Sequence, residues 1–107
     1  MKIDKDTKID KIIKENITIT NSSTLHSYGI INGNICVEEG ATLFIHGILN
    51  GDLIAKDNSS TYISGTMNGI IFPSEGKIEL SGMLKTNSTV PETVFKIKGC
   101  YINGKEY

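Results

Sequence analysis

Two consecutive blocks of 18 residues, GIINGNICVEEGATLFIH at 29–46 and GILNGDLIAKDNSSTYIS at 47–64, follow the same pattern. Each block begins with Gly, places Asn-Gly three residues later and continues with two short apolar segments. A third block, GTMNGIIFPSEGKIELS at 65–81, keeps the pattern but is one residue shorter. Self-similarity at a fixed short period indicates a solenoid in which every block forms one turn.

Stacking the blocks places apolar residues in vertical columns that continue beyond the third block. The glycines that set the phase are Gly29, Gly47, Gly65, Gly82 and Gly99. The columns are Ile31, Leu49, Met67 and Leu84; Ile35, Leu53 and Ile71; Leu43, Thr61, Ile78 and Phe95; and Ile45, Ile63, Leu80 and Ile97. The same phase extends backwards to Ile9, Ile13, Ile17 and Ile19. We therefore predict a single domain over residues 1–107, with a cap and degenerate turns at 1–28, regular turns at 29–98 and a C-terminal cap at 99–107.

Within each block the apolar residues alternate with other residues, as in Ile35-x-Val37 and Leu43-x-Ile45. This is the period of a strand and not that of a helix. The block divides into three units of six residues, GIINGN, ICVEEG and ATLFIH, which predict three short strands and three corners per turn. The predicted fold is an all-β, triangular β-solenoid (parallel β-helix) of about 17–18 residues per turn and about five to six turns.

A competing prediction is an antiparallel meander, because Asn-Gly between apolar residues is typical of β-hairpins. The sequence contains it at Asn32-Gly33, Asn50-Gly51 and Asn68-Gly69. In a meander, however, each strand should match its immediate neighbour, whereas these residues match a strand one full period away. Gly47 would also lie in the middle of the strand TLFIHGIL, where a glycine weakens packing. The solenoid is the better prediction.

The motif Gly-x-x-x-Gly-(Asp/Asn)-(Ile/Leu), repeated once per turn, resembles that of the bactofilin domain. Its carriers are GIINGNI at 29–35, GILNGDL at 47–53 and GTMNGII at 65–71. The resemblance implies a right-handed triangular β-helix that assembles end to end, without nucleotide, as part of a bacterial cytoskeleton. The chain departs from the motif at Ile70, where earlier blocks have Asn34 and Asp52, and in the fourth block, which lacks the second Gly.

No enzyme signature is present: the sequence lacks a phosphate-binding loop, a Gly-x-Ser-x-Gly elbow and a Cys-x-x-Cys or His-x-x-x-His metal pattern. We expect no enzymatic activity, no cofactor and no metal ion, and we expect the glycines of GILNG and GTMNG to supply positive φ at corners. His26 and His46 are either a metal or acid–base pair or ordinary surface histidines. A hexapeptide-repeat acyltransferase would share the six-residue period, but it needs a catalytic His, and neither His has a visible partner.

Charge and composition narrow the partners further. The chain has 11 Lys and no Arg against 12 acidic residues, a net charge of -1. Nucleic-acid-binding surfaces concentrate Arg and Lys, so we expect no nucleic acid partner. No apolar stretch reaches the roughly 18–20 residues that span a bilayer, and the start MKIDKDTKID lacks the apolar region of a secretory signal. We therefore expect a cytoplasmic protein, in which Cys36 and Cys100 lie about four turns apart and too far from each other for a disulfide.

Strict alternation directs three further columns away from the core, and these columns supply the candidate interaction residues. One column contains Ile12, Ile30, Ile48, Thr66, Met83 and Cys100; the second contains Cys36, Ile54 and Phe72; the third contains Phe44 and Tyr62. The alternative is that a bend at a corner turns one column inward. An exposed apolar stripe marks an interaction surface. Beside the first column, Asn32, Asn50 and Asn68 are expected to stack as an Asn ladder.

These features predict a structural or interaction protein. The leading hypothesis is a bactofilin-like scaffold that associates with copies of itself, because the unpaired backbone of a terminal turn can template another chain. The alternative is a bacterial immunity-type protein that binds and neutralises a cognate toxin through one face of the solenoid. In that case the charged start KIDKDTKIDK and the polar end KIKGCYINGKEY would prevent stacking.

Overall fold

A computed structural model describes residues 1–20 and 22–107. The described chain forms 17 strands and contains no helix, which confirms the predicted all-β solenoid of about six turns. Three sheets run along its length, and we call them A, B and C. Sheet A contains β1 (Lys2–Ile3), β4 (Ile17–Ile19), β7 (Ile35–Val37) and β10 (Leu53–Ala55). Sheet B contains β2 (Thr7–Ile9), β5 (Thr24–Ser27), β8 (Thr42–Ile45), β11 (Ser60–Ile63), β13 (Lys77–Leu80) and β15 (Val94–Lys96). Sheet C contains β3 (Ile12–Ile13), β6 (Ile30–Asn32), β9 (Ile48–Asn50), β12 (Thr66–Asn68), β14 (Met83–Lys85), β16 (Tyr101–Ile102) and β17 (Lys105–Glu106).

Strands pair in parallel with the strand one turn away, so the meander is wrong for the body of the chain. Ile31 pairs with Leu49, Ile35 with Leu53, and Leu43 with Thr61, each at the predicted spacing of 18 residues. The antiparallel pairing in the described chain is that of β16 with β17. Register at the N-terminal side is also as predicted, since Ile13 pairs with Ile31. The right-handed sense of the coil stays a prediction.

The core is a column of aliphatic side chains that lies between the three sheets. Alternation sends every second residue of a strand inward, as in β8, where Leu43 and Ile45 are buried while Thr42 and Phe44 are not. Two polar side chains also point inward: the hydroxyls of Ser27 and Thr61 are buried and have no hydrogen-bond partner among the described residues. A buried hydroxyl without a partner is destabilising.

The repeated glycines serve a different purpose from the predicted one. Gly47, Gly51 and Gly65 do not have positive φ, and Gly69, at 159°, is close to extended. A Cβ atom at Gly51 would instead overlap the carbonyl oxygen of Gly33 in the turn below. The corners require glycine because successive backbones approach each other too closely for any side chain.

Asn and Asp side chains support one corner of each turn by bonding to the backbone of the next. Asn16 Oδ1 accepts a hydrogen bond from the N–H of Asn34 (2.8 Å), and Asn34 Oδ1 accepts one from the N–H of Asp52 (2.9 Å). Asp52 Oδ1 accepts from the N–H of Ile70 (2.9 Å), where the series ends because Ile70 has no side-chain acceptor. Sheet A ends at the same height: beyond β10 it has only the isolated bridge between Leu53 and Ile71.

The predicted columns are wrong by one residue in the last turn. Ile78 pairs with Val94, which is buried, while Phe95 pairs with Glu79 and is 63 % exposed. Lys96, and not Ile97, pairs with Leu80. Residues 86–93 contain no strand, so the chain reaches sheet B after 16 residues, from Ile78 to Val94, instead of 17.

The following corner restores the phase of sheet C with extra residues. Cys100 N donates to Ile97 O (3.0 Å) in a turn that precedes β16. Tyr101 therefore pairs with Met83, and Cys100 is buried instead of standing in the outward column. Both cysteines are free, as expected.

Candidate interaction surfaces

The outer face of sheet C carries an apolar stripe that runs along the solenoid axis. Ile12 is 57 % exposed and Met83 37 %, whereas Ile30 and Ile48 are half-buried between the turns above and below. Thr66 interrupts the stripe, and Tyr101 stands where Cys100 was predicted. We call this column the isoleucine stripe; its members, in paired order, are Ile12, Ile30, Ile48, Thr66, Met83 and Tyr101.

An asparagine ladder lies beside the stripe, as predicted. Asn50 Nδ2 donates to Asn32 Oδ1 (2.9 Å), and Asn68 Nδ2 donates to Asn50 Oδ1 (2.8 Å). In the next turn Lys85 pairs with Asn68 and ends the ladder. The amides satisfy one another, so the ladder stabilises the face that carries the stripe.

The outer face of sheet B carries stacked rings, which we call the aromatic cluster. Phe44 stacks between His26 (4.4 Å between ring centroids) and Tyr62 (4.8 Å). At the corner toward sheet C, Tyr28 stacks on His46 at 4.5 Å. Parallel pairing brings Phe44 and Tyr62 together as the sequence predicted, while the two corner rings could be found only by counting residues past each strand.

The two histidines form a hydrogen-bonded pair. His26 Nδ1 lies 3.2 Å from His46 Nε2, and the rings are parallel within 1°. Their centroids are 5.4 Å apart, longer than the nitrogen separation by about one ring diameter, so the two nitrogens point directly at each other. Such a line has room for a proton but not for a metal ion, whose bonds to imidazole are about 2.0–2.1 Å. Among the described residues there is no group of three metal-ligating side chains.

Lysines cover the two ends of the aromatic cluster. Lys8 Nζ lies 5.2 Å from the centroid of Tyr28, and Lys77 Nζ lies 5.5 Å from that of Tyr62. Lys77 also pairs with Glu79 (3.1 Å), and this hydrogen bond raises the pKa of Lys77. Ring faces are therefore occupied by other rings or by lysines, and the cluster presents ring edges to solvent.

The outer face of sheet A holds the remaining candidates, Ile54 and Phe72, which are 40 % and 41 % exposed. Ile54 pairs with Cys36, whose thiol pKa is raised by burial and then by the charge of Glu38. The structure thus separates these two candidates from the five on sheets B and C.

A groove that the sequence did not reveal lies between Ile54 and the segment that replaces a strand of sheet A. It encloses about 1070 Å³. Its charged lining residues are Glu38, Glu39, Lys56, Asp57, Glu75 and Glu92. Pro73 and Pro91 lie along its edge, and neither can donate to a β-ladder. The only sequence signal was the loss of the repeat pattern between Ile70 and Thr93.

The two ends of the solenoid differ most clearly. At the N-terminal end the sheets finish on β1, β2 and β3, whose outer edges have no strand partner among residues 1–20 and 22–107. Ile3, Ile9 and Ile13 form the floor of the core there and are 6–7 % exposed. At the C-terminal end the chain reverses at Asn103 and Gly104, and β17 lies antiparallel across sheet C. A signal for this hairpin was present in the Asn-Gly pair at 103–104.

Comparison of the chain with protein-family models, with curated proteins and with solved structures finds no match. Within the described part of the chain there is no helix long and apolar enough to cross a membrane.

Proposed function

We propose that this chain is a non-enzymatic, cytoplasmic structural protein of the bactofilin-like kind, which associates with copies of itself through its N-terminal turn. The observation that carries the proposal is the unpaired outer edge of β1, β2 and β3. Open strand edges are templates for pairing with another chain. The isoleucine stripe then offers a lateral surface on the assembled solenoid.

The direction of the backbone groups in the first turn identifies the contacts. Ile9 O accepts a hydrogen bond from Tyr28 N (2.7 Å), and Ile3 O accepts one from Thr20 N (2.7 Å), so both residues face the second turn. Neighbouring residues of a strand direct their backbone groups to opposite edges. The N–H and C=O groups of Lys2, Lys8 and Ile12 therefore face outward and are free to bond to another chain.

Side chains of the first turn allow two copies to meet there. Residues 1–18 contain five lysines and four carboxylates in alternation, so the end has no strong charge of one sign. In a two-fold arrangement a lysine of one copy can face an aspartate of the other. Association would also cover the slightly exposed floor of Ile3, Ile9 and Ile13.

The C-terminal end restricts the size of the assembly. Antiparallel β17 is two residues long and carries the charges of Lys105 and Glu106, features that blunt a strand edge. Pairing through one end alone closes after two copies, because each copy contributes its single open edge. The assembly we propose is a head-to-head dimer, and a longer polymer requires that the hairpin be displaced.

Size-exclusion chromatography with light scattering over a range of concentrations tests the proposal. We expect a monomer that converts to a dimer as concentration rises. Lys8→Pro removes the outward N–H of β2, while Lys8→Ala keeps it; both variants lose the contact with Tyr28. Lys8→Pro should raise the dimer dissociation constant at least about tenfold relative to Lys8→Ala. A monomer at all concentrations, or equal effects of both variants, would contradict self-association through this edge.

The second candidate function is that of an immunity-type protein that binds a cognate toxin. The groove on sheet A favours it, because five carboxylates and one lysine line a concave surface beside Ile54. A basic partner would be complementary to that surface. Neutralisation of a toxin encoded beside this gene, lost in a Glu39→Lys, Asp57→Lys variant and kept in Lys8→Pro, would support this candidate over self-association.

A further inference from the structure

The chain contains four Asn-Gly pairs, and three of them are held in the sheets. The N–H groups of Gly33, Gly51 and Gly69 donate to backbone carbonyls of the next turn at 3.0–3.1 Å. The preceding side chains, those of Asn32, Asn50 and Asn68, bond to one another in the asparagine ladder. In each pair the backbone nitrogen and the neighbouring amide are therefore both fixed.

The fourth pair, Asn103 and Gly104, forms the tip of the C-terminal hairpin. Both residues have positive φ, 51° and 83°. A Cβ placed on Gly104 would meet nothing within 4 Å, so the backbone here is open to solvent. The N–H of Gly104 makes no hydrogen bond to any residue that the structure describes.

The side chain of Asn103 is activated as well as accessible. Its Oδ1 accepts a hydrogen bond from the N–H of Thr86 (2.8 Å). This bond draws electron density from Cγ and would stabilise negative charge that develops on Oδ1 during attack. Its Nδ2 makes no hydrogen bond within the described chain and can leave as ammonia.

We propose that Asn103 is a site of spontaneous covalent modification. The Gly104 nitrogen attacks Cγ of Asn103 and loses its proton to water, forming a C–N bond. The bond from Cγ to Nδ2 breaks, and ammonia leaves with a proton from solvent. Water then opens the resulting cyclic imide at either carbonyl, giving aspartate at residue 103 or an isoaspartate linkage in which the main chain runs through the side chain.

The isoaspartate product would disrupt the C-terminal hairpin. It adds one methylene to the main chain at a two-residue turn whose geometry is set by the pairing of Ile102 with Lys105. It would also displace the bond from Asn103 N to Leu84 O (2.8 Å), which ties the hairpin to the turn below. The modified chain would therefore expose the edge of sheet C that β17 now covers.

Peptide mapping by mass spectrometry tests the proposal on the whole folded chain, incubated at mildly alkaline pH and sampled over time. We expect amide-to-acid conversion at Asn103 at least about tenfold faster than at Asn32, Asn50 or Asn68, because the other three must open the ladder first. Labelling by a protein isoaspartyl methyltransferase should appear on the same peptide. In urea the four rates should converge, since every site is then an unfolded Asn-Gly pair.

Gly104→Ala and Gly51→Ala provide a further check, because a Cβ on the attacking residue hinders ring closure. Gly104→Ala should suppress most of the total conversion in the folded state, whereas Gly51→Ala should not lower conversion at Asn103. Equal rates at the four sites in the folded chain, or fastest conversion within the ladder, would overturn the inference. If Gly104→Ala does not fold, the folded-against-urea comparison of the natural chain decides alone.

Discussion

Residues 29–69 and residues 70–107 of this solenoid have similar composition but differ in regularity. In the first region every strand pairs at a spacing of 18 residues, and side-chain ladders join one turn to the next. In the second region the spacing falls to 17 and then 16, sheet A ends, and the chain finishes in a hairpin. The first region can continue indefinitely, whereas the second cannot.

The comparison teaches which residues make a turn repeatable. Asn34 and Asp52 each hold the backbone of the next turn, and replacement by Ile70 coincides with the end of sheet A. Repetition of a few polar residues and glycines is thus as important as the aliphatic core. Loss of those residues produces a capped end without loss of the core.

The largest expected effect concerns the core itself. Leu49 and Leu84 belong to the same column and are both fully buried, the first in the regular region and the second in the irregular one. Leu49→Ala should lower the free energy of unfolding by about 3–4 kcal/mol, and Leu84→Ala by about 2. The difference arises because turns near an end can separate locally. Urea denaturation measures both, and an equal or larger loss for Leu84→Ala would remove the distinction.

A smaller effect is expected from the asparagine ladder. Asn50→Ala removes two side-chain hydrogen bonds and should cost about 1–2 kcal/mol. Lys85→Ala, in the same column of the irregular region, removes no such bond and should be nearly neutral. Thermal and urea unfolding of the two variants provide the comparison. Similar losses would mean that the ladder is not what stabilises the regular turns.

The regular region also contains an imperfection that can be repaired. Thr61 lies in the core column between Leu43 and Ile78 with its hydroxyl buried and unpaired. Thr61→Val replaces that hydroxyl by a methyl group of similar size and should raise the free energy of unfolding by about 1 kcal/mol. Thr42→Val, on the solvent side of the neighbouring strand, is the control and should change stability little. A destabilised Thr61→Val protein would show that the hydroxyl has a partner, such as a bound water molecule.

The smallest effect distinguishes the two cysteines. Cys36 is partly accessible, but burial and the charge of Glu38 raise the pKa of its thiol, so alkylation should be slower than for a free thiol and should accelerate with pH. Because the unfolded chain loses this proton more easily, the stability that Cys36 contributes is present below the ordinary thiol pKa and is lost as pH rises through the folded pKa. Iodoacetamide labelling followed by mass spectrometry should modify Cys36 first. Buried Cys100 should follow only at the rate at which the C-terminal end opens, and faster labelling of Cys100 would contradict that cap.

The sequence predicted the fold well where the repeat is strict and poorly where it is not. The columns of Ile31, Ile35 and Leu43 follow directly from the period, since parallel pairing converts spacing into contact. Phe95 was misplaced because the length of residues 86–93 depends on whether a strand forms there, which periodicity does not decide. The contact of His26 with His46 was hidden because it joins different columns across a corner.

Residue-resolved amide hydrogen exchange at low and high protein concentration tests the open N-terminal turn most directly. Self-association through that turn predicts that the N–H groups of Lys2, Lys8 and Ile12 become protected as concentration rises. The N–H of Glu106 points away from β16, because Tyr107 N is the one that bonds to Cys100 O, and its exchange should not change. Protection confined to Glu106 and its neighbours, or no concentration dependence at either end, would contradict the account.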